Sequence, residues 1–219
     1  MRRAAGLLLL FAAAAFIILA PWPASREFGP SRTIFRPLPP RPHARDGSLP
    51  YEACLRAVQF LADNRHLFRN RRFITVIDYT KPSTSRRLFL IDLQTGELQR
   101  FLVSHGKNSG WLYATRFSNR PGSCETPLGF FRTGSKYQCS HGPCLELQGL
   151  QKGLNDNSDT RGIVMHGAHY ADPKAIAVNR AKGSARLGRS LGCPALPMEA
   201  AEDVIDKIKD GSLLFIYAE

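Results

Sequence analysis

The chain has 219 residues, 43% of them hydrophobic, and a formal net charge of +12 at pH 7. That length suffices for one domain with a real core, and there are no internal repeats that would make it a solenoid. The basic excess comes partly from the N-terminal tail, and no aromatic-basic interleaving of a nucleic-acid module accompanies it. Nucleic acid is therefore excluded as a partner, and anionic lipid or an acidic wall polymer suits the charge better.

Met1-Arg2-Arg3 is a short basic start, followed by an unbroken apolar run from Ala4 to Ala20. It reads as a secretory signal peptide or a signal anchor over residues 1–20. Ala20 is followed by Pro21 and no Ala-x-Ala precedes the boundary, which favours an uncleaved inner-membrane anchor through 4–20. Arg2 and Arg3 then stay cytoplasmic and everything after Pro21 lies outside, in the periplasm or cell envelope. Residues 21–50 are rich in proline and arginine (Pro37, Pro39, Pro40, Pro42; Arg32, Arg36, Arg41, Arg45) and read as an extended linker.

Residues 51–219 form the folded part. Ala53, Ala57, Val58, Leu61 and Ala62 recur at helical spacing, which predicts a helix over 51–64. Strands are predicted at 73–77, then at 88–93 and 98–103 around a Gln94-Thr95-Gly96-Glu97 turn. Further strands are expected at 128–132, 145–147 and 163–165. Ala201, Val204, Ile205 and Ile208 predict a helix over 198–209, stopped by Gly211 and followed by a last strand over 213–217. The fold class is mainly β with small helices.

Five cysteines are present: Cys54, Cys124, Cys139, Cys144 and Cys193. In an exported protein four can pair and one is left as a reactive thiol. Cys139-Ser140-His141-Gly142-Pro143-Cys144 is a loop that a disulfide can close, and Cys54 with Cys124 is the remaining pairing, although spacing does not fix connectivity. Cys193 lies in Gly188-Arg189-Ser190-Leu191-Gly192-Cys193-Pro194, where Gly192 permits a tight turn that exposes sulfur and backbone N–H groups. With His166-Gly167 upstream, this has the parts of a thiol nucleophile: a base to take the proton and donors for an oxyanion. The plainer alternative is a buried structural cysteine at a strand end.

A set of short motifs, in order along nearly all of 51–219, resembles the murein L,D-transpeptidase catalytic domain family. The motifs are Ile77-Asp78-Tyr79-x-Lys81-Pro82-Ser83, Leu90-Ile91-Asp92 with Thr95-Gly96, and Ser104-His105-Gly106-Lys107-Asn108-Ser109-Gly110. Thr115-x-Phe117-Ser118-Asn119, Leu128-Gly129-Phe130-Phe131 and Gly153-Leu154-Asn155-Asp156-Asn157 follow. Ile163-Val164-Met165-His166-Gly167-Ala168 and Leu187-Gly188-Arg189-Ser190-x-Gly192-Cys193-Pro194-Ala195 complete the set.

The resemblance implies a β-sandwich-like catalytic domain acting on peptidoglycan stem peptides without a cofactor or metal. Cys193 is then the nucleophile, forming a thioester resolved by an amine or by water, and His166 is the general base. The Gly167 carbonyl orients the imidazole, and N–H groups of Leu191, Gly192 and Cys193 form the oxyanion hole. Leu191 stands where a second histidine is usual, and Pro194-Ala195-Leu196 replaces an arginine often found after the cysteine. A substrate carboxylate then needs another cation, Arg189 or Arg186. Ser190, His105 and Asn119 are the other substrate-binding candidates. Each has a bland reading beside it: a solvated charge for the arginines, a structural histidine, and a turn-forming Asn, as for Asn155, Asp156 and Asn157. Two rival functions remain at this level. One is a metal hydrolase using His166, His169 and Cys193; the other is a wall-binding module without chemistry. Oligomeric state is not legible.

Overall fold

The computed structural model describes residues 50–218. The apolar segment 4–20 and the linker up to residue 49 lie outside the described residues. Among the described residues, no helix is long and apolar enough to cross a membrane.

Helix α1 (Tyr51–Asp63) buries Ala53, Cys54, Ala57 and Leu61, an apolar stripe one turn apart. It packs on strands β1 (Phe73–Asp78) and β8 (Leu213–Tyr217), which run parallel at the centre of the sheet. In β8 the residues alternate between two cores. Leu213 and Phe215 join Ile74, Val76 and Phe89 under α1, while Leu214 and Ile216 point the other way. Both faces are buried, which is why β8 reads as a continuous apolar run rather than an alternating one. Helix α3 (Met198–Ile208) covers the second face with Ala201, Val204, Ile205 and Ile208. Each of the three larger side chains is worth roughly 1.5–3 kcal/mol of apolar burial. A charge at Ile205, fully buried, would break that packing.

The strands form one eight-stranded sheet in the order β3 (Leu98–Phe101), β2 (Leu88–Asp92), β1, β8, β4 (Gly129–Cys139), β5 (Gly142–Gly149), β6 (Val164–Gly167), β7 (Ala195–Leu196). Strands β2 (Leu88–Asp92) and β3 (Leu98–Phe101) make the expected hairpin, and Gly96 takes the positive φ that its turn requires. The resemblance implied a sandwich. Hydrogen bonding instead joins all strands in one sheet that curls, because the chain leaving β3 returns to the opposite edge. There Ser104 bridges Ala195 of β7 (Ala195–Leu196), and Gly106 bridges Ser190. Curling satisfies an edge that a flat sheet would leave exposed.

Strands β4 (Gly129–Cys139) and β5 (Gly142–Gly149) form a hairpin longer than the sequence predicts, with an irregularity between Thr133 and Lys136. Its outer half is largely exposed and lacks an apolar signature. The tip is closed by a disulfide between Cys139 and Cys144. Cys54 and Cys124 do not pair; both are free. Strand β6 (Val164–Gly167) pairs antiparallel with β5 and parallel with β7. Helix α2 (Pro173–Ala181) has no buried residue, so no apolar stripe announced it.

Candidate active site

The site forms where β6, β7 and the segment 104–106 meet. His166 pairs with Ala195 in the parallel register. Val164 lies two residues before His166 in β6, on the same face, and its N–H meets the Cys193 sulfur from the turn before β7. Met165, between Val164 and His166, points into the core.

His166 is only 3% exposed. Its Nδ1 lies 2.8 Å from the Gly167 carbonyl oxygen. A carbonyl can only accept, so the proton sits on Nδ1 and the lone pair on Nε2. Burial, opposed by the Gly167 bond and reinforced by nearby His141, lowers the pKa of His166, so the ring is neutral at pH 7. Two rings hold it: His141 stacks at 4.6 Å between centroids, and Tyr170 meets it edge-on at 6.5 Å.

Cys193 is partly exposed. Val164 N–H donates to its Sγ and the thiol donates to the Gly162 carbonyl, each at 3.5 Å. No hydrogen bond among the described residues joins it to His166. Burial raises the thiol pKa, against the opposing pull of Val164 N–H and the Arg161 guanidinium. The resting pair is therefore thiol and neutral imidazole, not a preformed ion pair.

The Cys193 turn is built from within. Ser190 is buried; its Oγ donates to the Cys193 carbonyl at 2.6 Å and accepts from Gly192 N–H at 3.1 Å. Its N–H donates to His105 O, and its carbonyl accepts from Lys107 N–H. Two sequence expectations change here. Ser190 is turned inward as a clasp and does not face substrate, and Gly192 N–H is already used, which removes it from the oxyanion hole. Of the other N–H groups in the turn, that of Cys193 lies against its own sulfur, and that of Leu191 makes no hydrogen bond among the described residues. Gly192 adopts φ +133°, and an added Cβ would fall 2.9 Å from Ile163 and 3.0 Å from the Glu125 carbonyl. Leu191 is 66% exposed beside the thiol.

His105 is fully buried and cannot line a cleft. Its Nδ1 accepts from Arg87 Nη2 at 2.7 Å, and burial with that guanidinium pushes its pKa down to about 3. Arg87, fully buried, also donates to the Val103 and Lys81 carbonyls and lies over Tyr79. This network is a foundation under the site. Asn119 is also committed elsewhere: it donates to Asp156 and accepts from Asn157 N–H, lacing two loops together.

Arg186 and Arg189 both lie on exposed Trp111, at 4.0 and 4.1 Å from the ring centroid. Arg189 donates to the carbonyls of Lys107 and Gly110. With Lys107, Tyr170, Lys174 and Gly188 they line a groove of about 750 Å³, and Tyr170 is also the ring that meets His166 edge-on. The groove is strongly basic. His169 turns outward onto Asp172 at 3.1 Å. Among the described residues, no three His, Cys, Asp or Glu side chains converge as a metal-binding group.

Two residues escaped sequence reasoning. Arg161 donates to Ser118 O, Glu125 O and Ser123 Oγ beside the Cys193 turn. His141 reaches His166 across a hairpin. Neither has a local sequence signal, since both act over 25 or more positions.

Residues 47–217 match the family described as L,D-transpeptidase catalytic domain. Solved structures similar to the chain include an L,D-transpeptidase from Mycobacterium smegmatis (16% identity, 67% of this chain and 59% of that one, TM-score 0.40). L,D-transpeptidase 3 from Mycobacterium tuberculosis is similar at 14% identity, over 67% of this chain and 61% of that one, with TM-score 0.39. L,D-transpeptidase 1 from the same organism is similar at 15%, over 67% and 62%, with TM-score 0.36. The matched region thus spans about six-tenths of these chains. No curated protein matches the sequence. The chain belongs to the L,D-transpeptidase catalytic domain family.

Proposed function

We propose that the protein is an extracytoplasmic cysteine acyltransferase that acts on peptidoglycan stem peptides through a Cys193 thioester. The observation that carries this reading is the Nδ1–H bond of His166 to the Gly167 carbonyl. It fixes the tautomer in which Nε2 can accept a proton, and burial keeps that nitrogen unprotonated at neutral pH.

In the first half-reaction the thiol turns from Gly162 toward His166. Sγ attacks the carbonyl that joins the third stem residue to the terminal D-amino acid, and the thiol proton passes to Nε2. The S–C bond forms and the carbonyl π pair moves to oxygen, where Leu191 and Cys193 N–H groups receive it. Collapse breaks the C–N bond, and the imidazolium returns its proton to the departing amine. In the second half-reaction an acceptor amine attacks the thioester, passes a proton to His166, and expels the Cys193 sulfur, which is reprotonated. Water as acceptor gives a trimmed peptide by the same steps.

The basic groove suits the carboxylates of such a peptide, and Arg186 and Arg189 present planar forks to them. Leu191, exposed beside the sulfur, offers an apolar contact. The test is incubation of the full chain with disaccharide tetrapeptide, followed by mass spectrometry, beside Cys193→Ala. Dimers lacking one terminal D-residue, absent from the variant, support the transfer reaction. Trimmed monomers alone make water the acceptor. The same product from Cys193→Ala overturns the reading.

A further inference from the structure

The β4–β5 hairpin tip has no role in the scheme above, yet it reaches the base. Its disulfide joins Cys139 to Cys144, with His141 in the loop between them. His141 N–H lies 3.3 Å from the Cys139 sulfur, so the loop is folded back on the bridge. Cys144 in turn pairs with His166 across the β5–β6 ladder. The bridge thus connects directly to the strand position facing the base. From this seat the His141 ring lies over the His166 ring at 4.6 Å between centroids and 24° between planes. His141 itself is exposed, while the ring beneath it is 3% exposed.

We infer that His141 is a positioning residue for His166, held over it by the Cys139–Cys144 bridge, and that the hairpin tip is part of the active site. The inference rests on His166 being the base. An imidazole bonded at Nδ1 can still swing about that bond, and a lone pair that swings misses the thiol. Flat rings on one face and Tyr170 at the edge remove that freedom. Displacements of about an ångström in such pairs cost on the order of 100-fold in rate. The groups that face the His166 ring are His141 from the hairpin, the Gly167 carbonyl at the end of β6 and Tyr170 just beyond it. Of these, His141 is the exposed one, and its removal opens the buried ring beneath it to water.

The test measures acylation of Cys193 by a carbapenem, by intact mass, in the full chain from pH 5 to 9. His141→Ala is expected to lower the rate by about tenfold or more. Its acid limb should also move up toward the ordinary histidine pKa of about 6.5. His141→Phe keeps a ring over the base and should restore most of the rate. Replacing Cys139 and Cys144 together by serine should reproduce the His141→Ala loss, with no further loss when combined with it. Wild-type rate and acid limb in His141→Ala, while His166→Ala is slow, overturns this inference alone. So does a His141→Phe protein as slow as His141→Ala, or full additivity of the disulfide and His141 losses. Wild-type reactivity in His166→Ala instead refutes His166 as the base.

Discussion

Ser190→Ala isolates the turn that presents the sulfur. In the structure Ser190 Oγ donates to the Cys193 carbonyl at 2.6 Å and accepts from Gly192 N–H at 3.1 Å, in a residue only 6% exposed. Alanine leaves a buried acceptor and a buried donor without their partner. Each orphaned group costs roughly 1–3 kcal/mol, and partial rescue by relaxation of the turn brings the expected loss to about 2 kcal/mol. For a domain of this size each kcal/mol lowers Tm by roughly 2–4 °C, so a fall of roughly 4–8 °C is expected in a thermal melt. Ser190 N–H and C=O still tie the turn to His105 and Lys107, so the fold survives. The nucleophile does not keep its aim. Cys193 acylation should slow by about 10- to 100-fold, and Ser190→Thr, which keeps the hydroxyl, should recover most of it. A Ser190→Ala protein with unchanged Tm and unchanged acylation would show that the clasp does not hold the turn, and the reasoning would fail.

Four further outcomes follow from the same contacts. Because burial raises the Cys193 pKa, iodoacetamide should alkylate it at pH 7 no faster than an ordinary thiol, with the rate rising only above the usual thiol range; fast alkylation at pH 6 would mean a preformed thiolate. His105 has a folded pKa of about 3 against about 6.5 unfolded, so the unfolded chain binds the extra proton. Stability is then complete above about pH 6.5 and falls as pH drops toward 3, by up to about 5 kcal/mol; urea midpoints that stay flat between pH 6.5 and 4.5 would contradict this. Arg161→Gln removes the cation that favours the thiolate and three loop contacts, so alkylation should shift to still higher pH and Tm should fall; an unchanged pH profile would remove Arg161 from the site. Gly192→Ala combines positive φ with two contacts of 3.0 Å or less and should destabilise by roughly 2–4 kcal/mol, read as a lower urea midpoint.

The parts of the fold that the sequence announced are those where burial imposes a period. Ala201, Val204, Ile205 and Ile208 declare α3, and Ile74, Val76 and Ile77 declare β1 through their β-branched run. What stayed hidden lacks that coupling. Helix α2 buries nothing, and the outer half of β4 is polar and held by its hairpin partner rather than by the core. In the candidate site, the bond of His166 to the Gly167 carbonyl and the glycine turn before Cys193 were legible because each joins neighbouring residues. The roles of Ser190 and His105 were not, since a hydroxyl can turn inward or outward from the same sequence. A lone histidine likewise reads the same in a cleft or beside a buried arginine 18 positions away. His141 and Arg161 reach the candidate site only through tertiary contact.

The most direct test of the central account is peptide-level mass spectrometry of the full chain quenched in acid during turnover of disaccharide tetrapeptide. The account predicts an acyl adduct on the peptide containing Cys193, equal to the substrate less its terminal D-amino acid, and lost in Cys193→Ala. Turnover with no adduct on Cys193, or with an adduct on another residue that persists in Cys193→Ala, would contradict it.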